Sequence, residues 1–167
     1  MAELTTQERL QPSLLDRLTD EEPGKQEESR ERRVISATRL RDCVARDISW
    51  LLNCVNLGSG VELEDYPEVA RSVLNFGIPD LTGMALAGVD AAVLQRQLRE
   101  ALLAFEPRLT GSTLRVAVNT DGKRMDQQSL VFNIESEMWA QPIPLNLYLK
   151  TEVDLETGRF NVSESLG

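Results

Sequence analysis

The chain changes its hydrophobic period once. From Val34 to Phe105 apolar residues recur at three- and four-residue spacing, as in helices that bury one face. From Leu114 onward they alternate with polar residues, as in strands with one face on a core. The first long helix spans Val34–Val55, with Leu40, Val44, Ile48, Leu51, Leu52 and Val55 on one stripe. Asn56-Leu57-Gly58-Ser59-Gly60 ends it. A second segment, Tyr66–Gly77, has Pro67 in its first turn, Gly77 as its cap, and Val69, Val73 and Phe76 inward. Ile78–Gly88 reads as an ordered loop over the core. Asp90 caps the third helix, where Val93 or Leu94, Leu98, Ala101 or Leu102, and Phe105 keep the period.

That helix has to stop at Glu106, because Pro107 disfavours the α conformation in the residue before it. The strands follow. Leu114, Val116 and Val118 mark the first, and Asp121-Gly122 a turn. Leu130, Phe132 and Ile134 mark the second. Leu145, Leu147, Leu149, Thr151, Val153 and Leu155 share one face of the third. Glu156-Thr157-Gly158-Arg159 turns into Phe160-Asn161-Val162 as a hairpin. Pro142 and Pro144 break the chain between strands. Helices followed by strands predict one α+β domain over residues 34–167, its helices packed on one face of an antiparallel β-meander of about four strands.

Residues 1–33 read as a separate, flexible charged arm. Glu21-Glu22-Pro23-Gly24-Lys25-Gln26-Glu27-Glu28 has nothing that builds a core. Within the arm, Leu10, Leu14, Leu15 and Leu18 fall at helical spacing. Two turns of helix do not hold alone in water, so this stretch either folds back or docks on another chain.

Composition then removes whole classes of chemistry. The net charge of −9, from 27 acids and 18 bases, opposes binding to nucleic acid through phosphate contacts. With no histidine, a Ser/His or Cys/His catalytic pair lacks its base. Two cysteines leave a structural zinc site short of ligands, and no other cofactor is implied. Cys43 and Cys54, roughly 16 Å apart along one helix at 1.5 Å per residue, are expected as buried apolar thiols. Met1–Leu10 has neither a cationic start nor an apolar run, and no segment reaches the ~20 apolar residues of a bilayer span, which predicts a cytoplasmic chain.

The remaining candidate site is the corner Phe105-Glu106-Pro107-Arg108-Leu109, an acid and a base on either side of a rigid proline. Asp47 lies inside the first helix's apolar stripe. Its expected resting place is the wet edge of that helix, with an ion pair to Arg108 as the alternative. Trp50 stands at the margin of the stripe, as core or as contact surface. A glycosidase would need two carboxylates ~5–10 Å apart, and Glu106 with Asp47 or Asp121 are the suggestive choices. Arg108 opposes that reading, since a cation two residues away favours the charged carboxylate, the wrong state for a general acid.

Four stretches in order carry a resemblance: Ser13–Leu18 (SLLDRL), Arg46–Asn53 (RDISWLLN), Tyr66–Leu81 (YPEVARSVLNFGIPDL) and Phe105–Leu109 (FEPRL). Over about residues 10–165 the chain resembles the phage baseplate wedge, lysozyme-like family, and within it the TssE-type baseplate subunits of type VI secretion systems. The resemblance implies a non-catalytic assembly role, beside TssF, TssG and TssK-like wedge subunits and at the foot of a TssB/TssC-like sheath whose assembly it helps start. It places such a protein at the cytoplasmic face of the inner membrane without insertion. It implies that Glu106, Pro107 and Arg108 face a wedge partner, and that the C-terminal strands interlock with sheath strands. Phe160 and Val162 are then the edge candidates, and Leu14, Leu15 and Leu18 the arm's anchor. A peptidoglycan glycosidase is the competing function.

Overall fold

The computed structural model describes residues 13–19, 24, 36–82, 90–119, 129–140 and 144–165. Helix α1, Leu14–Leu18, is capped by the Ser13 hydroxyl, and α2, Ala37–Leu52, by that of Ser36. A single turn, α3, occupies Pro67–Ala70. The last helix, α4, runs Ala91–Phe105, and the Asp90 carboxylate accepts from the Ala92 and Val93 amides at its start. Four strands follow: β1 Arg115–Asn119, β2 Ser129–Met138, β3 Leu145–Asp154 and β4 Arg159–Glu164.

The strands form an antiparallel meander in the order β1-β2-β3-β4, with α2 and α4 against it. The register explains the one-sided burial. Val116 pairs with Ile134 and Ile134 with Leu149, while Val153 pairs with Phe160, so apolar residues line up across the strands. This face meets Leu40, Val44, Ile48, Leu51 and Leu52 of α2 and Leu94, Leu98 and Leu102 of α4 in one core. Each such leucine contributes about 1.5–3 kcal/mol through burial. The expected α+β architecture is what the chain adopts. Asp121-Gly122 and Pro142 lie outside the described residues.

Four details differ from expectation. The first long helix ends at Leu52 rather than Val55, so Val55 is 59% exposed and Cys54 is an exposed free thiol, whereas Cys43 is buried as expected. The segment Tyr66–Gly77 is two short turns rather than one helix. Ser72 is extended (ψ 171°) and its hydroxyl accepts from the Leu74 amide, restarting the chain as a 3-10 turn at Val73–Asn75. That turns Val73 outward, 78% exposed, while Phe76 still packs on the core. Gly77 does more than end a turn: at φ +123°, a Cβ there would lie 2.3 Å from the Cys54 carbonyl oxygen. The close approach lets Ile78 pair with the end of α2, through Ile78 N–H to Cys54 O and Asn56 N–H to Ile78 O, both 2.9 Å.

A further pair of hydrogen bonds ties the two layers. The Asn53 side chain, just past α2, accepts from the Phe160 N–H and donates to the Phe160 carbonyl, both at 3.0 Å. An amide side chain thus takes both main-chain groups of one β4 residue.

Candidate functional site

The corner after α4 is held from both sides. Glu106 has left the helical region (φ −119°, ψ 79°), as proline demands of the residue before it, and its N–H closes the last helical turn on Leu102 O. Beyond Pro107 the chain joins the end of β2. Trp139 N–H donates to Arg108 O at 2.7 Å, Thr110 N–H to Glu137 O at 2.8 Å, and Leu109 bridges Met138. The helix stop and the strand-like bridge together aim Glu106 and Arg108.

They aim at each other and at α2. Glu106 is 4% exposed, and both its oxygens accept from Arg108: Oε1 from Nε at 2.6 Å and Oε2 from Nη2 at 2.5 Å. Arg108 Nη2 also donates to Asp47 Oδ2 at 2.6 Å. Burial works against the Arg108 charge, but Glu106 and Asp47 outweigh it and push its pKa further up. Asp47 therefore does not rest in water at the helix edge. It takes the alternative, an ion pair with Arg108, and its other oxygen binds Arg46 at 2.8–2.9 Å. The buried Nη1 of Arg108 has no acceptor among the described residues.

The relay continues into the arm. Arg46 Nη1 donates to Asp16 Oδ1 at 2.6 Å, so α1 folds back on α2. The bond from Arg46 holds the Asp16 carboxyl well below the usual range, against the cost of burial. Asp16 also accepts from the Ser13 hydroxyl, and the Cys43 thiol has its pKa raised by burial and then by Asp16. The Arg46 guanidinium lies 5.0 Å from the centre of the Trp50 ring, which is half exposed. Asp16 and Arg46 carry this contact, and nothing in the sequence marks either as a site residue. The i, i+4 leucines mark α1 as amphipathic, but the acid between them gives no sign of its partner 30 residues on.

The other expected residues fall as follows. Leu14, Leu15 and Leu18 stay exposed, at 71%, 45% and 74%. Leu14 and Leu15 line a groove of about 420 Å³ with Ile48, Leu51, Phe76 and Phe105, beside Glu106, Pro107 and Arg108. Phe76 and Phe105 meet edge to face, 5.3 Å apart, in that groove. Phe160 is 2% exposed and held by Asn53, while Val162 is half-buried on β4, at one side of the sheet. Asp121 lies outside the described residues. No group of three or more Cys, Asp or Glu among the described residues has metal-binding geometry, and no described helix is long and apolar enough to cross a membrane.

With both Glu106 oxygens tied to Arg108, the corner is arranged as an ionic brace beside an apolar groove. Among solved structures, a Geobacter sulfurreducens protein that carries the name tail lysozyme resembles the chain at 17% identity and a TM-score of 0.44, covering 70% of this chain and 92% of its own. Likeness at that level carries no argument about mechanism. No curated protein matches. The family model for baseplate wedge protein gp25 matches residues 38–143, which take in α2, the corner and β2, and the chain belongs to that family.

Proposed function

We propose that this protein is the TssE-type subunit of a type VI secretion baseplate, a structural part that joins the wedge to the contractile sheath and helps start sheath assembly. Membership of the baseplate wedge family carries the structural role. What supports the finer reading is the corner: a braced Glu106-Pro107-Arg108 beside an apolar groove is shaped to be held by a partner, with TssF and TssG as the wedge subunits and TssK nearby. The groove residues and the exposed leucines of α1 are the wedge-facing surface in this reading. The β4 side of the meander is the sheath-facing one, towards TssB/TssC-type strands. The protein works in the cytoplasm, at the inner membrane, through the assembled baseplate.

Glycoside hydrolysis fits this corner poorly. It needs one carboxyl free to donate a proton and another free to act opposite it. Here Asp47 and Glu106 share one guanidinium. The test is a pull-down of the full chain against co-expressed TssF/TssG-type subunits, beside a peptidoglycan-degradation assay. Capture of the wedge subunits without degradation is expected. Degradation that disappears in Glu106→Gln, with no capture, would overturn the proposal.

A further inference from the structure

Large apolar side chains face solvent in one lobe, between the end of α2 and Gly77. Leu57, Val61, Tyr66, Val73 and Leu74 are all exposed there, and none of them lines the groove beside the corner. We propose that this lobe is a separate docking surface and that its occupant is a basic amphipathic helix of another protein. Its apolar face lies on Val73 and Leu74, and its cations meet the carboxylates of the lobe. The proposal does not depend on the baseplate reading.

Three observations carry it. First, the aliphatic residues are held outward by the chain's own bonds. Ser72 Oγ donates to Val69 O at 2.9 Å and accepts from Leu74 N–H at 3.2 Å, which opens the 3-10 turn. The Asn75 amide then anchors that turn. It donates to Ala70 O of α3 and accepts from Gly58 N–H of a second 3-10 turn, Leu57–Ser59, both at 2.9 Å. Two adjacent aliphatics, 78% and 68% exposed, are thus presented on a fixed support. Second, the charge around them has one sign. Between Val55 and Gly77 stand four acids, Glu62, Glu64, Asp65 and Glu68, against one base, Arg71. The four acids are exposed, and none forms an ion pair among the described residues. A cationic segment gains from them, whereas an anionic lipid surface, or a second copy of this chain with its net charge of −9, is repelled. Third, the main chain of the lobe is already bonded. Gly60 and Val61 N–H donate to Leu57 O, Asn75 N–H to Ser72 O and Phe76 N–H to Val73 O. The occupant therefore binds through side chains, as an amphipathic helix does, and not by adding a strand.

The experiment titrates the full chain into two fluorescein-labelled peptides of about five helical turns, with leucines on one face and either lysines or glutamates on the other. Amide shifts of the chain map where each binds. The lysine peptide should bind and move the amides of Leu57–Phe76, and the glutamate peptide should bind at least about tenfold more weakly. Val73→Ser/Leu74→Ser should weaken lysine-peptide binding about tenfold, with the unfolding midpoint within roughly 3 °C of the parent, because both side chains are exposed. Glu64→Lys/Asp65→Lys should weaken it by about the same factor. Glu135→Lys/Glu156→Lys, at exposed acids outside the lobe, changes the net charge equally and should leave binding within about twofold. Equal losses in the two charge reversals would show that only the overall charge is read, and would overturn the proposal. Shifts centred outside the lobe, no binding, or binding unchanged in Val73→Ser/Leu74→Ser would overturn it as well. Self-association lost in Val73→Ser/Leu74→Ser would make a second copy the occupant, and phosphatidylglycerol-vesicle binding lost in it would make a membrane the occupant; either overturns it.

Discussion

Arg108 is the residue on which the corner turns. Its removal leaves Glu106, 4% exposed, as a buried charge without its cation. Arg108→Ala should cost about 3 kcal/mol, and lower the thermal midpoint by roughly 6–12 °C. The double variant Glu106→Leu/Arg108→Met should lose much less, because no lone charge stays behind; equal losses by calorimetry would refute the brace. Thr151 is the opposite case. It is fully buried on β3, and its hydroxyl has no partner among the described residues. Thr151→Val, close in shape, should raise stability by about 1 kcal/mol in urea unfolding. The sequence places Thr151 correctly on the apolar face by its alternation. Whether the hydroxyl finds an acceptor depends on Val162 and Phe132 across the sheet, which periodicity does not report.

At the scale of elements, α2, α4 and the four strands were legible because each repeats its period over two or more turns or several pairs. The Tyr66–Gly77 segment was not. Its apolar spacing suits a helix, but the Ser72 hydroxyl competes for the backbone and wins locally. The orientation of Glu106 and Arg108 was also out of reach, since it depends on Asp47 lying opposite and on the bridge to Met138. The docking of α1 gives an element-scale prediction. Asp16 has a depressed pKa in the folded chain, so its contribution is complete above the ordinary carboxylate range and is lost as the pH falls through and below it. Amide resonances of Leu14–Leu18 should therefore hold steady from neutrality down to about pH 4 and move towards coil values below it. Movement that begins near pH 6 would show that another group controls the helix.

For the molecule as a whole, the meander sets an order of stability. β2 and β3 are paired on both sides and carry Phe132, Ile134, Leu147 and Leu149 at the centre of the core, whereas β1 and β4 are each paired with one strand. Native-state hydrogen exchange should find β2 and β3 opening only with global unfolding, β1 and β4 earlier, and α1 first. Protection of α1 that matches β2 would contradict a short helix held through the Asp16–Arg46 pair. The family resemblance was readable because three of its four stretches coincide with what the fold needs: the α2 stripe, the Gly77 approach and the corner.

Asn53 has a consequence for any chain that joins the sheet at β4. With the Phe160 N–H and carbonyl already taken by this amide, an incoming strand has a stop at that end. It pairs beyond Phe160, towards Val162 and Glu164, or it evicts Asn53 and uncouples β4 from the end of α2. A joining strand that slid further would meet a polar plug in place of open main chain. A single side chain thus acts as a ruler for alignment, and the same contact that locks the helical layer to the sheet limits the frames open to any strand that joins there.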